Sequence, residues 1–528
     1  MAVPTTNGSS TGMKPSLGLT GVTINAMALI APGAFLWTTF QSQSNPGSAM
    51  SMWFAVFVAT AIALLTATVY SALSKRYPEA GTGSSYYFAE ASLLHKEEHR
   101  HFKFARFSKF VVGWASHLYY WIYPGVMVAF MGLVITYIIQ TFVPSFGAPW
   151  QEAIVCVAFA CIVGMIAYVG VTGSTLANII INVIQILALV TFSILAIVYR
   201  IKNPAVPYLH PSALSVIMPH SLSGLIFQST IAILLVVGFE SATALAAEAK
   251  NPGRDIPRGV ILSLIIQAVI FYLLEYFAAN FFINSNYKNA AGSGFAAAFG
   301  SSAPIGDMAQ TIGNQLLGGN GVAFATIIAA TVVIALVGTS LSCLNTGVRV
   351  TYAMGKDTEL PVVFGFLHGK YRTPHVGVIV LTIISAVIGV YGVLNIDNLT
   401  QVILVSNIGT FLLYGMTCIV GLIAFAGIKG SSLFSTKVAP ILGGALNVLM
   451  LIGVLYFAIA GGGSTQTDTL VAVGFSILWL VVGFGFLFGR RIVSGIPVLH
   501  PEDYKVKNAT SSSSASGVTE NAMVAETD

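Results

Sequence analysis

Charge is what this sequence has least of. Only 8% of its 528 residues are Asp, Glu, Lys or Arg, against roughly 25% in an ordinary soluble domain. That poverty argues against a water-soluble enzyme or binding module. Cysteine is scarce as well. Cys156, Cys161, Cys343 and Cys418 all fall in apolar runs, without metal-ligand spacing or the paired framework of a small secreted domain. They read as buried free thiols. There is no Walker A string, no ATP-binding domain and no nucleophile–base or metal-ligand set, so catalysis and ATP-driven pumping find no support. The formal net charge of +5 does not point to nucleic acid, because the basic residues sit between apolar runs. No cleavable signal peptide is expected: residues 1–16 are polar, and the first apolar run is too long and lacks a cleavage site. His95, His99 and His101 lie in a basic loop and read as solvated rather than as a metal site.

What is abundant is apolar. Hydrophobic residues make up 55% of the chain and the mean hydropathy is +0.82, the composition of a polytopic membrane protein. A membrane span needs about 20 mostly apolar residues. Twelve such runs are expected, at about 17–41, 51–73, 108–141, 152–171, 175–200, 223–247, 258–283, 320–350, 375–394, 398–428, 438–460 and 468–489. If both termini are cytoplasmic, 21 of the 24 Lys and Arg fall on the inner side, and only Arg200, Lys202 and Lys288 fall outside. The opposite orientation inverts that bias, contrary to the positive-inside rule.

Two connections are long. Residues 74–107 are expected inside, with an amphipathic helix on the inner face leading into the basic, Phe-containing "HKEEHRHFKFARFSKF". Residues 284–319 are expected outside, with a short helix over "APIGDMAQTIGNQLLG". The organisation is then a tail (1–16), a twelve-span membrane domain (17–490) and a largely disordered tail (491–528), whose "TSSSSASG" has no capacity to pack.

Two spans carry interruptions at matching depth. Span 1 has Ala31-Pro32-Gly33 and span 6 has Gly238-Phe239-Glu240-Ser241, each about 15 residues in. Spans 1–5 and 6–10 are two five-span sets, about 17–200 and 223–428. Because five is odd, the second set is inverted relative to the first. A broken helix exposes N–H groups where one half starts and C=O groups where the other ends, with matching dipole charge. A zwitterionic amino acid suits both. Its carboxylate suits the N–H groups near Gly33, Ala34 and Phe35. Its ammonium suits carbonyls near Leu29 and Ile30 and near Val236 and Val237. The candidate substrate site is therefore Ile30, Ala31, Pro32, Gly33, Ala34, Phe35, Val236, Val237, Gly238, Phe239, Glu240 and Ser241. Glu240 and Glu275 are acids within spans, costly unless paired or protonated. Each reads either as a proton-handling group or as an acid satisfied by its neighbours. His117 reads either as pathway lining or as a satisfied core histidine.

Read together, these motifs resemble the amino acid–polyamine–organocation permease superfamily. The resemblance rests on "GFESATALAAEAKNPGRDIPRGV" (238–260), "YPEAGTGSSYYF" (77–88), "VGWASHLYY" (112–120), "RVTYAMGKDTELP" (349–361), "YRTP" (371–374) and "SNIGTFLLY" (406–414), and covers most of residues 17–490. It implies an all-α leucine-transporter-like fold, a 5+5 inverted repeat plus two C-terminal spans at 438–489. It also implies an aromatic gate at Phe239, and an inner gate or latch formed by Glu248, Lys250, Arg254, Asp255 and Arg258 with the 74–90 loop. Thr339 and Ser340 resemble the hydroxyl pair that helps hold sodium in this fold. Gln185 falls where some proton-linked relatives place a Lys. Na+ or H+ coupling through Thr339, Ser340, Gln185 or Glu275 is thus expected, with no other cofactor or metal.

One departure stands out: at the span-1 break the family's Gly-small-Gly is Ala31-Pro32-Gly33, and Pro32 lacks an N–H. The leading expectation is a multi-pass plasma-membrane permease for an amino acid or related amine, embedded in the bilayer. A same-fold carrier of a nucleobase or organic cation is the alternative. A non-transporting amino acid sensor is the third reading, against which the absence of a large soluble signalling domain counts.

Overall fold

A computed structural model describes residues 17–494 except 32, 79–83, 97–101, 171–174, 247, 358 and 428–431. The regular structure of the described chain is helical apart from two short strands, β1 (Lys288–Asn289) and β2 (Gly292–Ser293), which pair antiparallel. The helices run in the order α1 (Leu19–Ile30), α2 (Ala34–Gln43), α3 (Met52–Arg76), α4 (Ser85–Lys96), α5 (Phe102–Tyr120), α6 (Tyr123–Phe142), α7 (Pro149–Val169) and α8 (Thr175–Lys202). There follow α9 (Ala213–Ile217), α10 (Leu222–Ala232), α11 (Ser241–Ala244), α12 (Pro252–Leu264), α13 (Leu273–Phe282), α14 (Phe295–Phe299) and α15 (Pro304–Leu316). The last are α16 (Gly321–Lys356), α17 (His375–Val393), α18 (Ile396–Phe425), α19 (Ala439–Ala460) and α20 (Gly463–Ser494). Among the described residues, 10 helical segments are long and apolar enough to cross a membrane, and Leu19–Ala28 and Leu222–Leu235 are shorter apolar helices.

Local chemistry sets the helix ends. Pro149, Pro252 and Pro304 open α7, α12 and α15, where a missing N–H costs nothing. The Ser221 and Asn395 side chains accept N–H bonds from Gly224 and Asn398 at the starts of α10 and α18. The bundle interior is apolar and aromatic, with Trp37, Tyr70, Tyr123, Tyr272 and Tyr414 fully buried. The outer surfaces of α7, α8, α19 and α20 expose Ile154, Met165, Leu187, Ile459 and Leu478, the surface a bilayer covers and water does not tolerate. α17 lies on α6 and α7, and α18 on α5, α19 and α20. Trp114 Nε1 donates to Trp479 O at 2.8 Å, which ties α20 to α5.

Several expectations need correction. α4 forms, but it does not lie on the surface. Tyr86, Phe88 and Ala89 are all buried, because α5 and α18 pack across it. The run 108–141 is one membrane-length helical stretch, Phe107–Phe142, which a turn at Trp121–Ile122 divides into α5 and α6. α12 begins at Pro252, and eight residues of π-helix (Ile265–Tyr272) join it to α13. Cys161 is exposed on the apolar surface, whereas Cys156, Cys343 and Cys418 are buried. The short helix expected over 303–318 does form, as α15, anchored where Tyr287 and Ser301 both donate to Asp307 Oδ2 at 2.6 Å. The tail 505–528, His99 and His101 lie outside the described residues.

Candidate functional site

The first break begins where α1 ends. Ala31 takes a left-handed conformation (φ 45°, ψ 79°), and its N–H still bonds to Met27 O. Non-glycine residues rarely adopt that conformation, and it is held only where neighbours enforce it. Here Tyr272 does so, donating to Ala31 O at 2.7 Å. Pro32, the expected oddity, lies outside the described residues. Gly33 (φ 83°) opens α2, a conformation glycine adopts without steric cost. The carbonyls ending α1 are met from three helices. Gln267 Nε2 donates to Met27 O at 2.7 Å, Thr339 Oγ1 to Ala28 O at 3.0 Å and Asn182 Nδ2 to Ile24 O at 3.4 Å.

The second break follows the same logic with different donors. α10 tightens into a 3-10 turn over Ile233–Leu235 and loses helical form at Val236 and Val237. Gly238 then turns the chain (φ 115°) before Glu240 and α11. Asn407 Nδ2 of α18 bonds Thr230 O at 2.8 Å and Ile231 O at 3.3 Å, as Gln267 and Thr339 do for α1. Glu240 is fully buried. Its Oε2 accepts from the Gly238 N–H at 3.0 Å and from Tyr414 at 2.7 Å. In this conformation the acid therefore satisfies the break's own backbone, and the Gly238 N–H is occupied by the protein.

The breaks are brought together. α1 packs against α11, and α2 packs against α10, so two antiparallel segments cross where both are interrupted. Aromatic rings close around them. Phe239 meets Tyr414 at 5.2 Å and Tyr70 at 5.8 Å. Phe35 meets Tyr123 at 6.3 Å, and Tyr123 meets Tyr119 at 5.1 Å. Ala31, Gly33, Ala34, Phe35, Val236, Val237, Gly238, Phe239 and Ser241 are all buried; Ile30 ends α1. A cavity of about 220 Å³ is lined by Gln41 of α2 and by Leu133, Glu152, Phe299 and Asn395 among others.

The four coupling positions are also placed. Thr339 reaches the first break directly through Ala28 O. Ser340 and Gln185 are buried, and Ser340 Oγ and both Gln185 amide atoms have no hydrogen-bond partner among the described residues. Glu275 is buried against Gly33: a Cβ there would lie 2.8 and 3.2 Å from its two oxygens. His117 is packed beside Trp121, at 4.7 Å between rings, with Thr351 Oγ1 3.5 Å from its Nε2, a core histidine in this conformation.

Sequence reasoning missed the donors that come from far along the chain: Tyr272, Gln267 and Tyr414. A buried tyrosine needs a partner for its hydroxyl, and that was the available signal. It also missed Lys109. This lysine is 2% exposed and bonds Glu90 of α4 at 2.7 Å and Asp357 beyond α16 at 2.6 Å. Tyr86 donates to Glu359 at 2.8 Å beside it, and burial with the Glu359 and Asp357 charges pushes the Tyr86 hydroxyl well above its usual range. Residues 79–83 of the loop expected to meet the latch cluster lie outside the described residues; the cluster's own pairs are these. Glu248 meets Arg349 at 3.4 Å, Arg254 meets Asp255 at 2.9 Å, and the backbone of Leu17 bridges Glu248 and Lys250.

Paired interrupted helices inside a bundle of membrane-length helices define a polytopic membrane carrier. The chain belongs to the amino acid permease family, of the amino acid–polyamine–organocation superfamily, whose profile matches residues 21–493. It is a multi-pass membrane transporter and not an enzyme. It is similar to the branched-chain amino acid permease BcaP of Bacillus subtilis (strain 168), 24% identical over 428 residues, 77% of this chain and 81% of that protein. It is also similar to the low-affinity putrescine importer PlaP of Escherichia coli (strain K12), 25% identical over 386 residues, 72% and 76% of the two chains. The methylthioribose transporter of Bacillus subtilis (strain 168) is 23% identical over 403 residues, 74% and 77%.

Proposed function

We propose that this permease carries an amino acid or related amine across the plasma membrane by alternating access around the breaks in its first and sixth spans. The proposed topology has twelve spans, a 5+5 inverted repeat followed by two C-terminal spans, and cytoplasmic termini. Na+ or H+ supplies the coupling. The observation that carries the reading is the crossing of α1 on α11 and α2 on α10 at two breaks, with the carbonyl ends met by side chains from other helices. Such an arrangement places helix-end charge of both signs at one depth, which matches a zwitterion or an amine. The names of the relatives, a branched-chain amino acid permease and a putrescine importer, support that substrate class. The methylthioribose transporter keeps a non-amino-acid solute as the second reading.

The test is binding to purified protein in detergent, read as thermal stabilisation by a panel of amino acids, polyamines and methylthioribose. One member of the amino acid or amine set is expected to stabilise the native chain. Gly238→Val should abolish that stabilisation while leaving membrane insertion intact, because φ 115° is strained for a β-branched residue. Normal binding in this variant would argue against the sixth-span break as the site.

A further inference from the structure

Two acids are buried beside the breaks, and they are treated differently. Glu240 has two donors on one oxygen. Glu275 is 0% exposed, and neither of its oxygens has a hydrogen-bond partner among the described residues. It sits in the first turn of α13, directly after the π-helical stretch Ile265–Tyr272, a departure frequently found at functional sites. Its carboxyl group abuts the backbone of the first break at Gly33, where Leu189 of α8 also makes contact. Two donors on the same connected helix, Gln267 and Tyr272, hold the carbonyls of Met27 and Ala31. One continuous helical element therefore holds the first break with two side chains and presents a bare acid to it with a third.

We propose that Glu275 binds and releases the coupling proton, and that movement of α1 and α2 about Gly33 controls its access to water. This deepens the transport reading and rests on it. An ionised carboxylate without donors in the membrane interior is costly. Loss of the proton is therefore tied to conformations that bring water to the carboxyl group. The carboxyl takes one proton from water on one side of the membrane and returns it to water on the other, with no other bond made or broken. Tyr272 and Tyr276 flank the acid on its own helix. α8 brings Leu189 and, one turn earlier, the neutral Gln185; the first span brings Gly33. From α3, Trp53 donates to Leu273 O. Arg200 of α8 is engaged further along α13, donating to Phe281 O at 2.7 Å and to His210 O at 2.6 Å. Gln185, unlike Glu275, has no titrating proton to move.

Glu275→Gln keeps the shape and removes the titration. In proteoliposomes with labelled leucine and labelled putrescine as probes, the variant should retain counterflow without a gradient and lose accumulation driven by an inward proton gradient. The infrared difference spectrum of purified protein between acid and alkaline pH should contain a carboxylic C=O band that the variant lacks. Should Glu275→Gln fail to fold, Glu275→Asp should shift that band. Proton-driven accumulation by Glu275→Gln at the wild-type level, or superimposable infrared spectra of variant and wild type, would overturn the proposal. If the wild type carries neither probe, the expected substrates are wrong, and the infrared comparison still decides for or against Glu275.

Discussion

Lys109→Met should unlock the bundle where α4, α5 and the end of α16 meet. The lysine joins three elements, bonding Glu90 of α4 at 2.7 Å and Asp357 after α16 at 2.6 Å from its own place on α5. Its side chain is 3% exposed, and the partners are 25% and 16% exposed. Removing one partner of a buried pair typically costs about 3–5 kcal/mol. The two carboxylates recover some hydration here, so roughly 2–3 kcal/mol is the reasoned figure. These bonds exist only while α4, α5 and α16 are together, so the loss falls on the closed form. At about 1.4 kcal/mol per tenfold, the open population rises roughly 30- to 140-fold. The assay uses a chain with its four natural cysteines replaced and a single Ala89→Cys on α4, where the native side chain is 0% exposed. The reaction rate with a membrane-impermeant maleimide in inside-out vesicles should rise by that factor when Lys109 is replaced. An unchanged rate, with the protein folded, would refute the assignment of Lys109 as a closing contact.

Tyr414→Phe removes one of the two donors to Glu240 Oε2. The loss should be about 1.5–3 kcal/mol for a bond to an acidic group, seen as a lowered Tm in detergent. Adding Glu240→Gln should recover part of it. His210, in the segment between α8 and α10, is held neutral by burial, opposed by its hydrogen bond to Ser215 and aided by nearby His220, and its pKa is lowered to about 4. The unfolded chain takes up that proton near the ordinary histidine value, so between about pH 6.5 and 4 the unfolded state binds more protons. Stability should fall as pH drops through that window, by at most about 3 kcal/mol, and be unaffected above it. Tm measured from pH 7 to 4.5 should fall more steeply for the native chain than for His210→Gln.

The breaks were legible because their causes are local. A glycine alone does not mark a break, since Gly338 and Gly409 stay helical inside α16 and α18; the Ala-Pro-Gly string in the first span and the matched depth of Gly238 in the sixth single these two out, and both follow from counting. Charge asymmetry between loops gave the expected orientation by the same kind of local reading. What the sequence hides are contacts set by helix rotation and by neighbours far along the chain. Tyr414 meets Glu240 across 174 positions, and Lys109 meets Asp357 across 248. In the sequence Lys109 reads only as one more topology-setting charge. α4 reads as amphipathic and therefore superficial, and nothing in its residues reveals that α5 and α18 cover it. Cys161 fails for a related reason: an apolar run says that a residue is out of water, not whether it faces protein or lipid. Glu275 was visible as a costly acid, but its contact with Gly33 was not.

The central claim is that this chain moves an amino acid or amine through the site at the crossed breaks. Uptake into proteoliposomes tests it most directly, with a panel of labelled amino acids and polyamines under a sodium gradient, a proton gradient or neither. Saturable uptake of at least one of them, lost in Gly238→Val, is the predicted result. Absence of uptake of every member by folded, correctly inserted protein would contradict the account.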